Sequence, residues 1–279
     1  MSTGEQLARI AGRARRVQQW GRSSLRLGWS GVLALGVAVV TLAAAAVVFA
    51  AMLEDVLGHD GMALRDSGLD QAIADHRTPG LIEAAKVATN VGSIGLVTGL
   101  AIVAFVVFWF RGLKLAEAAA PLISLGVAAV GATALKGLVG RARPDVPIRL
   151  LQETEPSFPS GHATNSTALF VSLAIVAAVV VLRRPLARAL VLTAGFGASV
   201  VIGLTRLELG VHWPSDVIAG WALGTMAAVA VTTALILLGR LAASAGPDQG
   251  RVGQRGLRLL GLRRCARSAT STSMQAVYS

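Results

Sequence analysis

Six stretches of this chain run for 17 to 27 residues without one Asp, Glu, Lys, Arg or His: 27–53, 87–110, 118–135, 163–182, 189–205 and 217–239. About 20 apolar residues in a helix cross a bilayer core of about 30 Å. A charge at mid-bilayer costs about 3 kcal/mol on insertion scales. Uninterrupted runs of this length therefore predict an all-α polytopic membrane protein with six transmembrane helices. The charge content agrees: 15% of 279 residues are charged and 54% are hydrophobic, where a soluble domain carries about a quarter charged residues. Runs 118–135 and 189–205 are short and need a thin membrane or snorkelling ends. Run 27–53 is too long for a signal-peptide core, and acidic residues follow it instead of a clear cleavage site, so it reads as a retained first helix.

Arginine placement sets the expected orientation. The segment before the first run carries Arg9, Arg13, Arg15, Arg16, Arg22 and Arg26; the second connection carries Arg111 and Lys114, and the fourth Arg183, Arg184 and Arg188. Arg240, Arg251, Arg255, Arg258, Arg263, Arg264 and Arg267 follow the last run. With six alternating helices these segments share one side, the cytoplasmic one. The expected organisation is a basic cytoplasmic tail (1–26), a six-helix membrane domain (27–239) and a basic, partly disordered cytoplasmic tail (240–279). The net charge of +11 thus serves topology and anionic lipid headgroups, not nucleic acid. The one cysteine, Cys265, rules out an intrachain disulfide and a four-cysteine metal site.

Lys136, Arg141, Arg143, Arg149 and Arg206 break the pattern, because they fall on the outer side. They flank connections that also hold His162 and His212. An anionic substrate is the simplest compensation. Lys136 and Arg143 are seven residues apart, the spacing of one helix face. Ser160 and Gly161 precede the fourth run, where a helix start offers free N–H groups to a phosphate oxygen and glycine permits close approach. His212 and Asp216 are four apart, with Pro214 suited to a first helical turn. Lys136, Arg143, Arg206, Ser160 and Gly161 can together enclose a phosphoryl group. His212, held by Asp216, can attack phosphorus, and His162 can protonate the leaving alcohol and then activate water. No metal or other cofactor is expected, since the three cations supply the charge neutralisation.

Lys136-x6-Arg143-Pro144, then Pro159-Ser160-Gly161-His162, then Arg206-x5-His212-x3-Asp216 resembles the motif set of the type 2 phosphatidic acid phosphatase (PAP2) superfamily. The motifs cover 136–216, and the six runs extend the likeness to the membrane-bound members. The resemblance implies a PAP2/haloperoxidase-like helical bundle, a phosphohistidine at His212 oriented by Asp216, an acid/base at His162, and phosphate binding by Lys136, Arg143, Ser160, Gly161 and Arg206. It departs at Thr205, where serine is usual, and at Glu208, where a neutral or aromatic residue is usual. Glu208 bears on how tightly a charged headgroup is held.

The implied function is hydrolysis of a phosphomonoester or diphosphate of a membrane lipid at the extracytoplasmic face. Phosphatidic acid, phosphatidylglycerophosphate and polyprenyl (di)phosphates all remain open as substrates. So do two rivals: a phosphotransferase using the same intermediate, and a non-catalytic anion-binding or transport protein. A transporter would place its polar residues at mid-membrane, whereas these cluster at one end. A serine hydrolase built on Ser160 lacks the Gly-x-Ser-x-Gly elbow. Arg141, Asp145 and Arg149 read as loop charges, and Trp213 and Trp221 as an interfacial belt. Gly95-x3-Gly99 and Gly220-x3-Gly224 suit close helix packing. Connection 54–86 is either an amphipathic surface segment around 66–75 or a mobile loop.

Overall fold

The computed structural model describes residues 29–245 except Val146. Expectations for the two tails, Cys265 included, fall outside the described residues. Those described are mostly helical, with no strand among them. Each of the six apolar runs falls largely within helices. The first is α1 (Trp29–Gly58). A 3₁₀ turn (Ala63–Arg65) and the short helix α2 (Asp66–Asp75) lead to α3 (Pro79–Asn90) and α4 (Ile94–Phe110). Then come α5 (Leu115–Val139), α6 (Gly161–Val176) running into a π-helical turn (Ala177–Val181), α7 (Pro185–Glu208) and α8 (Pro214–Ala245).

Five of these helices are long and apolar enough to cross a bilayer, and the α3–α4 pair, bent by 49°, makes a sixth span if taken as one. The second apolar run is therefore broken, not continuous. The α4 helix begins after Ser93, an extended N-cap residue. At the break, Gly92 is pressed so tightly by Ile202 and the His162 ring that no Cβ fits there. The two short runs become full spans because their helices continue through charged ends. Thus α5 includes Glu117 and Lys136, and α7 includes Arg206 and Glu208.

The α6 helix is central and packs on α5 and α7. Small residues bring α8 against it. A Cβ at Gly220 would meet the Ser160 carbonyl at 2.8 Å and the Ala163 methyl at 2.9 Å. One at Gly224 would collide with the Thr164 carbonyl. Ala128, Ala168 and Ala227 continue this tight layer. Deeper still, the hydroxyls of Ser124, Ser172 and Thr232 bond one another, so three buried polar groups are satisfied within the bundle. The paired glycines of α8 thus serve packing as expected. Those of α4 do not: Gly95 and Gly99 have nothing within 4 Å of a Cβ. The α1 helix meets the bundle at one end, where Phe49, Met52 and Val56 surround Phe158. Along its length it leaves an apolar groove of about 610 Å³ facing Phe196, Trp221 and Val229. This groove contains none of the polar motif residues.

The connections sort to two ends. Lys114 donates to the Gly239 carbonyl (3.0 Å), so the basic 111–114 turn and the end of α8 share one end. The 140–160 and 209–213 connections share the other, where the Leu150 N–H meets the Leu209 carbonyl at 3.0 Å. Gly224→Val should destabilise the fold by about 1–3 kcal/mol through overpacking, whereas Gly99→Ala should be neutral or slightly stabilising. Thermal unfolding in detergent checks the pair.

Candidate active site

At that second end the chain reverses sharply. Lys136 is in the last turn of α5, and Gly140 ends the helix in the left-handed region (φ 62°), its N–H bonding the Lys136 carbonyl. Arg143 therefore lies beyond the helix, on an extended segment. The single-helix-face account of Lys136 and Arg143 is wrong. They converge because the loop folds back: Lys136 Nζ donates to the Pro156 carbonyl (2.5 Å), and Arg143 Nε to the Glu155 carbonyl (2.7 Å). Ser157 clamps this fold, its N–H bonding the Arg141 carbonyl and its hydroxyl the Ala142 carbonyl.

The third cation, Arg206, is 1% exposed. It donates to the Thr89 hydroxyl (2.8 Å) and to the Glu153 carboxylate (2.5 Å). Glu153 also stands 3.8 Å from Arg143, while Glu155 stands 3.6 Å from Lys136. Burial pushes the Glu153 carboxyl up, but Arg206 and Arg143 outweigh it and hold the carboxyl below its usual range. The protein's own carboxylates thus stand among all three cations of the motif set.

Ser160 caps the start of α6, with Gly161 as the first helical residue. Its N–H bonds the Asp216 carbonyl (3.0 Å), which ties the start of α6 to the first turn of α8. Its hydroxyl is buried without a partner among the described residues. A Cβ on Gly161 would meet nothing closer than Lys136 Cε at 3.9 Å. Packing does not demand glycine here.

His212 is 2% exposed and precedes α8. Its Nδ1 lies 3.4 Å from Asp216 Oδ2, a long contact, and its Nε2 lies 3.3 Å from Arg143. With the carboxylate on the Nδ1 side, Nδ1 carries the hydrogen and Nε2 presents a lone pair toward the cations. Burial lowers the His212 pKa to about 4 against the pull of Asp216, with Arg143 and Arg206 adding to the drop. It is a neutral base at physiological pH. Pro214 and Asp216 fall in the first turn of α8, and Asp216 also accepts the Trp213 N–H (3.0 Å). His162, half-buried, lies within electrostatic reach of Arg206, His212, Glu153 and Arg143. All eight motif residues therefore belong to one end of the bundle. Among the described residues, no group of three or more His, Cys, Asp or Glu is placed to hold a metal ion.

Residues 117–238, which hold every motif and helices α5 to α8 nearly in full, match the PAP2 superfamily. That segment of the chain resembles a PAP2 domain. It is 29% identical over 166 residues to phosphatidylglycerophosphatase B of Bacillus subtilis, covering 58% of this chain and 78% of that protein. Lipid A 1-phosphatase of Rhizobium johnstonii is 37% identical over 103 residues, and decaprenylphosphoryl-5-phosphoribose phosphatase of Mycobacterium tuberculosis 38% over 99. The matched parts span only 37% and 47% of those two relatives. The crystal structure of the transmembrane PAP2-type phosphatidylglycerolphosphate phosphatase from Bacillus subtilis shares the fold, with a TM-score of 0.62 at 24% identity, covering 68% of this chain and 94% of that one.

The site also recruits residues that sequence reasoning does not single out. Arg141, read as a loop charge, donates to Asp216 (2.6 Å), to the Ser215 hydroxyl (2.7 Å) and to Asp66 (2.7 Å), and it lies 5.6 Å from the Trp213 ring centre. The Trp213 indole N–H is taken by the Ala142 carbonyl and the Trp221 indole N–H by the Ser199 carbonyl, so both indoles are held by the protein. The α2 segment is a helix whose inner face mixes charge and apolar surface: Asp66 and Asp70 are buried, Ile73 packs against Ala163, Leu207 and Val217, and Leu69 is left exposed. Glu208 lines a separate groove between α3 and α7 with Leu81, Ala88 and Leu204, not the cationic pocket.

Neither carboxylate oxygen of Asp70 has a hydrogen-bond partner among the described residues. Burial raises its pKa from 3.8 to about 6, opposed by Arg77 and reinforced by Asp66 and Asp216. The folded protein thus holds this proton more tightly than the unfolded chain, and stability is lost as pH rises from 4 through 6. Asp70→Asn should raise the unfolding temperature of the protein at pH 7.5, by up to about 3 kcal/mol in stability, and the gain should vanish near pH 4.

Proposed function

We propose that this protein is a membrane lipid phosphatase that works through a phosphohistidine at His212. The observation that carries the reading is the setting of that imidazole: neutral, buried, backed by Asp216, with Nε2 facing Arg143. The relatives named for phosphatase activity on lipid phosphates support the same class.

In the first step, substrate phosphate displaces Glu153 and Glu155 from the three cations. Its equatorial oxygens take up Lys136, Arg143 and Arg206, together with the Ser160 hydroxyl and the N–H groups at the start of α6. This accounts for a buried hydroxyl without a protein partner and for glycine at a position where packing allows a larger residue. His212 Nε2 then attacks phosphorus in line. The bond to the leaving oxygen breaks, and His162 gives that oxygen a proton. In the second step His162 takes a proton from water, the hydroxide attacks the phosphohistidine, and inorganic phosphate leaves with His212 restored. Asp216 stabilises the positive charge on the ring while phosphorus is attached. Fixed cations, not a bound metal, neutralise the transferred group.

The site faces the extracytoplasmic side in this reading, since the connections rich in arginine lie at the opposite end. Apolar helix surfaces around the site suit a lipid tail, and their Ala, Val and Leu composition fits acyl and prenyl chains equally.

Purified protein incubated with phosphatidic acid, phosphatidylglycerophosphate and undecaprenyl diphosphate should release phosphate in the presence of EDTA. His212→Ala should lower kcat by about 10⁴-fold or more. Because His212 is already neutral above about pH 4, the acid limb attributable to it should lie well below 6.5. Full activity in His212→Ala would refute the mechanism, and an absolute requirement for magnesium would refute its metal-free form.

A further inference from the structure

The His212–Asp216 pair is the end of a longer chain of contacts. Asp216 receives Arg141 at 2.6 Å. The same guanidinium forks to Asp66 at 2.7 Å. Asp66 also accepts the Ser215 N–H (3.0 Å) and the Ser215 hydroxyl. It lies on α2, outside the residues that match the PAP2 superfamily, and it is 1% exposed. We propose that Asp66 is a positioning residue for the reaction, acting on His212 through Arg141 and Asp216, so that α2 is a working part of the site. The proposal rests on His212 being the nucleophile.

The reason is charge balance in a dry site. Arg141 fixes Asp216 Oδ1, leaving Oδ2 for His212. An unopposed guanidinium would also cancel the carboxylate's charge and leave the phosphorylated imidazole ring, which is positive, without a counter-charge. Asp66 restores it. Asp66, Arg141 and Asp216 together carry −1, matching the single positive charge that His212 acquires in the transition state. The contacts with Ser215 fix the first turn of α8 that carries Asp216. The other titratable or charged groups facing this network are Asp70 on α2, Arg77 before α3, Lys136 at the end of α5, Arg143 on the loop, Arg206 on α7 and His162 on α6. None of them bonds the Asp66 carboxylate.

The test uses the full-length protein in phospholipid–detergent micelles. Its probe is the lipid phosphate of the above panel that the wild type turns over fastest. Asp66→Asn makes the network neutral. It should lower kcat about ten- to a hundredfold and move the acid limb of kcat toward lower pH by about one unit. KM and the inhibition constant of inorganic phosphate should stay within about threefold, because Asp66 does not touch the cationic pocket. Asp66→Asn/Arg141→Gln restores the net −1 on Asp216 and should recover part of the lost kcat. If Asp66 merely tethered α2, the double variant would be no faster than Asp66→Asn, the acid limb would stay in place, and the proposal would be overturned. Wild-type kcat and pH profile in Asp66→Asn would overturn it as well. If His212→Ala is as active as wild type, it is the phosphohistidine reading that fails.

Discussion

Buried charge is the constraint on which the rest of this structure depends. Arg206 is 1% exposed and Asp216 fully buried at one end of an otherwise apolar bundle. Each ion taken out of water costs several kcal/mol unless it is paired and hydrogen-bonded. The pairing comes in two kinds. Arg141 is locked between Asp66 and Asp216, both essentially inaccessible. Lys136, Arg143 and Arg206 are held instead by Glu153 and Glu155, carboxylates of the 140–160 connection that are 30% and 73% exposed at the side chain. One set is fixed scaffold. The other is a loop an incoming anion can replace without leaving a charge unpaired.

Helix packing places the two sets together. Gly220 and Gly224 let α8 approach α6 until the Asp216 carbonyl meets the Ser160 N–H. The start of one helix then offers N–H groups, and the start of its neighbour offers Asp216 next to His212. Gly210, in the left-handed region and pressed against the Ile148 carbonyl and Arg77, allows the turn that delivers His212 between α7 and α8. Electrostatics and packing therefore serve one requirement, an imidazole held beside a cationic cup.

Much of this was legible in the sequence. Spans are legible because lipid punishes charge uniformly, and windows free of charge mark helices wherever they occur. The motif residues were legible because histidine and arginine clustered at the end of a span have few other uses. What stayed hidden depends on three-dimensional pairing. Arg141 looks like any loop charge until Asp66, 75 residues away, folds against it. The inward face of α2 carries Asp66 beside the apolar Ile73, and the buried partner of that aspartate, the Arg141 guanidinium, comes from a distant loop. Likewise Lys136 and Arg143 meet through the loop reversal at Gly140, a turn that helical spacing does not contain. The break at 91–93 escaped notice because an apolar run carries no record of its bend.

The central claim is that phosphorus is attacked twice, first by an imidazole and then by water. The stereochemistry at phosphorus tests it most directly. A lipid thiophosphate made chiral with oxygen isotopes is hydrolysed in isotopically labelled water, and the configuration of the released thiophosphate is read. Two in-line displacements predict overall retention. Inversion would mean that water attacks the substrate directly, and the nucleophilic role given to His212 would be wrong.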